Sequence, residues 1–133
     1  MSAKRESQLK PILIVEDDAT FGELLVANLT AHGYRSEIVP TVEAAIDQLE
    51  RGLRPSLVLL DINLPGETGW ALMRGDSLAN SGDPPVVAIS AIPANPRRLA
   101  QYHLAGYLPK PFAMETLRAT IERLLSKQGR EVS

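Results

Sequence analysis

Residues 56–70 read "SLVLLDINLPGETGW". Leu57 to Leu60 form an apolar run with no polar break, and the run stops at Asp61. Such a run, bounded by turn residues, reads as a strand buried on both faces, as in a parallel sheet. Asn63, Pro65, Gly66 and Gly69 follow, all of them turn formers. A carboxylate at the lip of a core is costly unless it is paired or holds a metal. Asp61 therefore either caps the strand end or does chemistry.

The same grammar recurs on both sides. "ILIV" (12–15) is a short β-branched run that stops at Glu16-Asp17-Asp18. "RSEIV" (35–39) is a weaker strand, and "PVVAIS" (85–90) a strong one. "GYLPKPF" (106–112) holds a brief fifth strand, and Pro109, which cannot donate to a ladder, puts it at a sheet edge. Helical stretches separate these runs. Phe21, Leu24, Leu25 and Leu29 share one face, with Gly33 as the C-terminal cap. Thr41 suits an N-cap before the stripe Val42, Ala45, Ile46 and Leu49, which ends at Gly52. A helix from Trp70 to Met73 is expected to be short, because "RGDSLANSGD" (74–83) is rich in breakers. Asn95-Pro96 opens a helix to about Leu104. Leu117, Ile121, Leu124 and Leu125 mark a last amphipathic helix that ends near Lys127-Gln128-Gly129. Five strand–helix alternations predict an α/β fold, a five-stranded parallel sheet with helices on both faces.

The totals agree. The chain has 133 residues, 44% hydrophobic and 23% charged, which fits one compact domain with a real core. A net charge of −2 gives no nucleic-acid footprint. There is no cysteine, hence no disulfide framework or thiolate metal site. The opening "MSAKRESQLK" has no apolar h-region, and the apolar runs are too short to span a bilayer. A cytoplasmic location is expected.

In an open α/β sheet, ligands bind at the carboxyl ends of the strands, where strand order reverses. The first strand ends on Glu16-Asp17, the third on Asp61, the fourth on Ser90, and the fifth on Lys110. If the first and third strands are neighbours, these groups converge. Three carboxylates together repel, and one would protonate unless positive charge sits among them. Mg²⁺ and Lys110 together balance the three negative charges, and hard oxygen ligands suit magnesium. Magnesium, a carboxylate nucleophile and a lysine are what phosphoryl transfer onto an aspartate requires. Asp18 extends the acidic run and is expected to turn away as a helix-start residue. His32 and His103 lie near helix ends and read as solvated caps.

With "ILIVEDD", "LVLLDINLPGETGW", "VVAISA" and "GYLPKPF" in this order and spacing, residues 11–126 resemble the receiver domains of two-component response regulators, of the single-domain, chemotaxis-regulator-like kind. The resemblance implies a flavodoxin-like receiver fold with strand order 2-1-3-4-5. It implies that Asp61 is the phosphoacceptor and that Glu16 and Asp17 are the acidic pair for Mg²⁺. Asn63 would lend a backbone carbonyl to the metal. Ser90 matches the switch hydroxyl, Tyr107 the switch aromatic and Lys110 the lysine of the family. The Lys110–Pro111 bond would be cis. Asn63 and Ile92 would line the path of hydrolytic water. Two stretches depart from the family pattern: the segment between Ser90 and Tyr107 is short and carries Pro93 and Pro96, and "GDSLANSGD" follows the third helix.

The expected organisation is a flexible lead-in at 1–10, a receiver domain at 11–126 and a C-terminal tail at 127–133. The expected function is a signalling switch that takes a phosphoryl group from a histidine kinase or histidine phosphotransfer protein onto Asp61. It would promote its own phosphorylation and dephosphorylation without being a metabolic enzyme. Output would run through a protein docked on the fourth helix, fifth strand and fifth helix, with no direct nucleic-acid contact and no membrane insertion. The alternative is a binding module of the same fold that works without phosphorylation. An aspartyl-phosphatase-like hydrolase is disfavoured, since Asn63 stands where a second Asp is wanted. A dinucleotide-binding fold lacks its G-x-G-x-x-G.

Overall fold

The computed structural model describes residues 10–64, 69–91 and 95–132, with side chains described to Ser126. Five strands, β1 (Ile12–Val15), β2 (Ser36–Val39), β3 (Leu57–Asp61), β4 (Val86–Ser90) and β5 (Gly106–Pro109), alternate with five helices. The helices are α1 (Ala19–Ala31), α2 (Val42–Glu50), α3 (Trp70–Arg74), α4 (Pro96–Gln101) and α5 (Met114–Val132). The strands are all parallel, in the order β2-β1-β3-β4-β5. This is the flavodoxin-like order expected above.

Successive strand side chains point to opposite faces. The apolar runs therefore feed two cores. Leu13, Val15, Val58, Leu60 and Ala88 face α2 and α3, meeting Val42, Ala45, Leu49 and Trp70. Ile12, Ile14, Leu57, Leu59 and Ile89 face α1 and α5, meeting Leu25, Leu29, Leu117 and Ile121. Each fully buried Leu or Ile contributes roughly 1.5–3 kcal/mol. Among the described residues, no helix is long and apolar enough to cross a membrane.

The caps stand where the sequence put them. Thr41 Oγ1 accepts the Ala44 N–H at 3.1 Å, and the Asn95 side chain accepts the Arg97 N–H at 2.8 Å. Gly33 and Gly52 follow α1 and α2 with φ of 86° and 109°, a backbone region that favours glycine. Past Arg74, where α3 ends, the breaker-rich stretch holds only a 3-10 turn, Ala79–Ser81.

Three expectations need correction. Leu24 is 55% exposed and does not share the buried face of α1. At 3.6 residues per turn, Leu24 falls well to one side of the stripe through Gly22, Leu25 and Leu29. Ile38 of β2 packs over Gly22 on that stripe, while Leu25 and Leu29 are buried in the core. The fourth helix ends at Gln101, short of Leu104, because Tyr102 leaves helical geometry with ψ 141°. The last helix does not end near Gly129: α5 continues to Val132, across the expected tail. One glycine costs a helix only about 1 kcal/mol. Residues 1–9, Pro65, Gly66, Ile92 and Pro93 lie outside the described residues.

Candidate functional site

The strand order brings the polar strand ends together. β1 lies between β2 and β3, so Glu16 and Asp17, just past Val15, stand beside Asp61, the last residue of β3. Asp61 is level with Ile89 of β4, which sets Ser90 one step beyond it. Ser90 is level with Pro109, and the Lys110 N–H then donates to the Ser90 carbonyl at 2.7 Å. The Lys110–Pro111 peptide bond is cis.

Glu16 is 3% exposed and Asp61 4%, while Asp17 is open to solvent. One carboxylate oxygen from each lies within 4.8 Å of the others. Lys110 Nζ donates to Glu16 Oε1 at 3.0 Å and to Asp61 Oδ2 at 3.4 Å. Asp18 turns away as expected: its side chain caps α1 by accepting the Phe21 N–H at 3.1 Å, and its own N–H donates to Glu16 Oε2, also at 3.1 Å. Three carboxylates face one ammonium, so the group is short of positive charge. Burial pushes the Glu16 carboxyl up to about 7, against the pull of the Asp18 N–H and Lys110 and helped by the neighbouring Asp61. Desolvation pulls Lys110 down, but the Glu16 hydrogen bond and the Asp61 charge outweigh it and hold the ammonium above the ordinary lysine range. The two directions agree: the lysine stays charged, and the most buried carboxyl holds its proton more tightly than a carboxyl in water does. Hard oxygen donors at this spacing, two of them desolvated, fit a divalent cation of the magnesium kind.

The loop after β3 closes the other side. The Asn63 N–H donates to Asp61 Oδ1 at 2.8 Å. The Asn63 side-chain oxygen accepts the Ser90 hydroxyl at 2.6 Å and the Ala91 N–H at 3.1 Å. Ser90 is 1% exposed, so its hydroxyl sits inside the site rather than in a solvated turn. Tyr107 is half-buried on β5, level with Ala88, and packs on the α2 and α3 side of the sheet.

Glu16, Asp17, Asp61, Asn63, Ser90 and Lys110 are thus brought together, and Tyr107 stands on the neighbouring edge strand. His32 and His103 are exposed and stand apart; a His32 ring nitrogen bonds to the Asn28 carbonyl at 2.8 Å. Three contacts escaped the sequence reading, two of them at the site. Phe21 lies under the Lys110 ammonium, 4.5 Å from Nζ to the ring centroid. Its signal was its place in the first turn of the helix that follows the acidic run. Gly69 presses on the Asp61 backbone: a Cβ there would lie 2.7 Å from the Asp61 carbonyl oxygen. Tyr102 stacks on Trp70, centroids 5.2 Å apart and planes 19° from parallel. The last two contacts are non-local and leave no pattern in sequence.

Comparison with known proteins gives a consistent result. A sequence model of the response regulator receiver domain matches residues 12–122. The chain is 34% identical over 119 residues to the response regulator MprA of Mycobacterium sp. (strain KMS), covering 87% of this chain and 50% of that protein. It thus spans about half the length of such curated relatives. Its fold is similar to a CheY-like response regulator receiver domain protein from Methanospirillum hungatei JF-1, with TM-score 0.83 and 25% identity over 92% of this chain and 98% of that one. It is also similar to the receiver domain of sensor histidine kinase PA1611 from Pseudomonas aeruginosa PAO1, with TM-score 0.75 and 28% identity over 88% and 98% of the two chains. That structure has a magnesium ion coordinated in its active-site cleft. With the family match spanning all five strands and the cluster at their carboxyl ends, the chain belongs to the response regulator receiver domain family.

Proposed function

We propose that this chain is a phosphorylation-dependent signalling switch that accepts a phosphoryl group on Asp61 from a histidine kinase or histidine phosphotransfer protein. The observation that carries the reading is a buried Asp61 carboxylate in reach of Lys110, with Glu16 and Asp17 oxygens within 4.8 Å. Glu16, Asp17, Asp61 and the Asn63 backbone carbonyl would hold Mg²⁺. When bound, that ion would supply positive charge to offset the negative charge gathered there during phosphoryl transfer.

The protein's own groups do the rest. An Asp61 oxygen attacks phosphorus, the phosphorus–nitrogen bond breaks, and the imidazole of the donor leaves. The Lys110 ammonium exchanges part of its hold on Glu16 and Asp61 for a phosphoryl oxygen. Ser90 gives up the Asn63 oxygen and donates its hydroxyl to another phosphoryl oxygen. Tyr107 then turns inward and reshapes the face made by α4, β5 and α5, where a downstream protein docks. The same movement takes the Ser90 hydroxyl off the Asn63 side-chain oxygen, leaving that side chain to orient water for hydrolysis. Ile92, apolar, would leave that water less well held. The working location is the cytoplasm.

The test is incubation with a small-molecule phosphodonor and Mg²⁺, read by intact mass. The expected result is a gain of one phosphoryl group that is absent in Asp61→Asn. No gain in the wild type, or a gain that survives Asp61→Asn, overturns the reading. Partner binding that ignores Asp61→Asn would favour a module that works without phosphorylation.

A further inference from the structure

The proposed chemistry leaves one neighbour of Lys110 without a role. The ammonium lies 4.5 Å from the Phe21 ring centroid. That ring is fixed from two directions. Its backbone sits in the first turn of α1, where Asp18 accepts the Phe21 N–H at 3.1 Å. Its ring meets Phe112 edge to face, with centroids 5.8 Å apart and planes at 79°. Phe112 follows Lys110 by two residues, so the segment that delivers the lysine also pins the ring beneath it.

Glu16 and Asp61 hold the ammonium by charge-assisted hydrogen bonds, which must be loosened if the lysine is to take a phosphoryl oxygen. A ring face acts differently. It attracts a cation through its quadrupole, and the attraction survives small shifts in where the N–H bonds point. We propose that Phe21 is a positioning residue for Lys110, its ring face keeping the ammonium at Asp61 while the lysine exchanges Glu16 for a phosphoryl oxygen. This inference rests on the phosphoacceptor reading of Asp61. Its bland competitor is that Phe21, which also packs on the α1 and α5 core, only fills space.

Two substitutions separate these roles in the full chain. Phe21→Leu keeps an apolar side chain but removes the ring; Phe21→Tyr keeps the ring. The first measurement needs neither metal nor donor: the ring should shift the Lys110 Hε resonances upfield by ring current. The shift is expected in wild type and Phe21→Tyr and lost in Phe21→Leu. The second is the initial rate of phosphorylation by a small-molecule donor with Mg²⁺. A lost cation–π contact should slow Phe21→Leu by about fivefold, with Phe21→Tyr within about twofold of wild type. Unshifted Lys110 resonances in the wild type, or equal rates in Phe21→Leu and wild type, overturn the positioning role. Equal slowing of Phe21→Leu and Phe21→Tyr overturns it as well. If Phe21→Leu does not fold, the wild-type resonances and Phe21→Tyr decide. A wild type that gains no phosphoryl group fails at the earlier step, and the phosphoacceptor reading falls with the positioning role.

Discussion

Asp61 ends a strand whose four other residues are apolar and buried, and it keeps a carboxylate there because its oxygens take up the Asn63 N–H and the Lys110 ammonium. Its backbone is held as closely as its side chain. Gly69 has an ordinary φ of −58°, so conformational freedom does not explain it. An alanine Cβ would meet the Asp61 oxygen at 2.7 Å and the Ile62 Cα at 2.8 Å, and neither backbone atom can swing aside. Gly69→Ala is expected to cost roughly 1–3 kcal/mol in a urea melt, the usual range for overpacking, and to slow phosphorylation. An unchanged midpoint would mean that the loop yields freely. The Asn63–Ser90 bond invites a second test, because both partners meet inside the site at 2.6 Å. A double-mutant cycle of Asn63→Ala and Ser90→Ala should show a coupling of about 1 kcal/mol in unfolding free energy. Strict additivity would remove the bond from the resting state. Glu16, Asp17, Asp61 and Lys110 were legible in sequence because each follows an apolar strand run, and parallel strands deliver such residues to one end. Gly69 was not, because a glycine that ends a turn and a glycine pressed on a strand end look alike along the chain.

At the scale of elements, α4 is the weakest attachment in the described fold. None of its residues is buried. Leu99 packs on the core only in part, and Tyr102, just past the helix end, stacks on Trp70 at the start of α3. Such a pair contributes about 0.5–1.5 kcal/mol beyond its area burial. Tyr102→Leu, which keeps apolar volume but removes the stack, should cost about 1 kcal/mol. It should also shift the emission of Trp70, the only tryptophan in the chain. Unchanged emission would sink the idea that the stack holds α4. The element scale also shows what periodicity leaves out. Caps at Thr41 and Asn95 were readable because capping is local, made within two or three residues. The end of α4 was not, because Tyr102 leaves the helix for a partner more than thirty residues away in sequence. Leu24 was misplaced for a related reason: Gly22, which lies against Ile38, is on the buried side of α1, and a glycine carries no apolar signal.

For the whole molecule, two apolar layers stabilise the sheet while a charge cluster at its carboxyl end works against it. Glu16 shows how much. In the unfolded chain its carboxyl releases a proton near 4.5; in the fold, burial raises that to about 7. Between these values the folded state holds more protons than the unfolded state, so stability falls as pH rises. The Glu16 contribution is fully present below the lower value and lost through the upper one. The slope is at most about 1.4 kcal/mol per pH unit from this group. Lys110 remains an ammonium throughout the window, held above the ordinary lysine range despite its partial desolvation. It therefore supplies one fixed positive charge and does not offset the second and third negative charges as Glu16 ionises. Without metal, the protein is expected to be about 2 kcal/mol more stable at pH 5.5 than at pH 8. Glu16→Gln, which keeps the shape but cannot ionise, should flatten the difference. Saturating Mg²⁺ should raise the melting temperature more at pH 8 than at pH 5.5, because the cation then meets the full set of carboxylates. Melts at the two pH values, with chelator and with Mg²⁺, check all three statements. A metal-free protein as stable at pH 8 as at pH 5.5 would show that Glu16 ionises in the fold as easily as in water, and the crowded-carboxylate account of this site would be wrong.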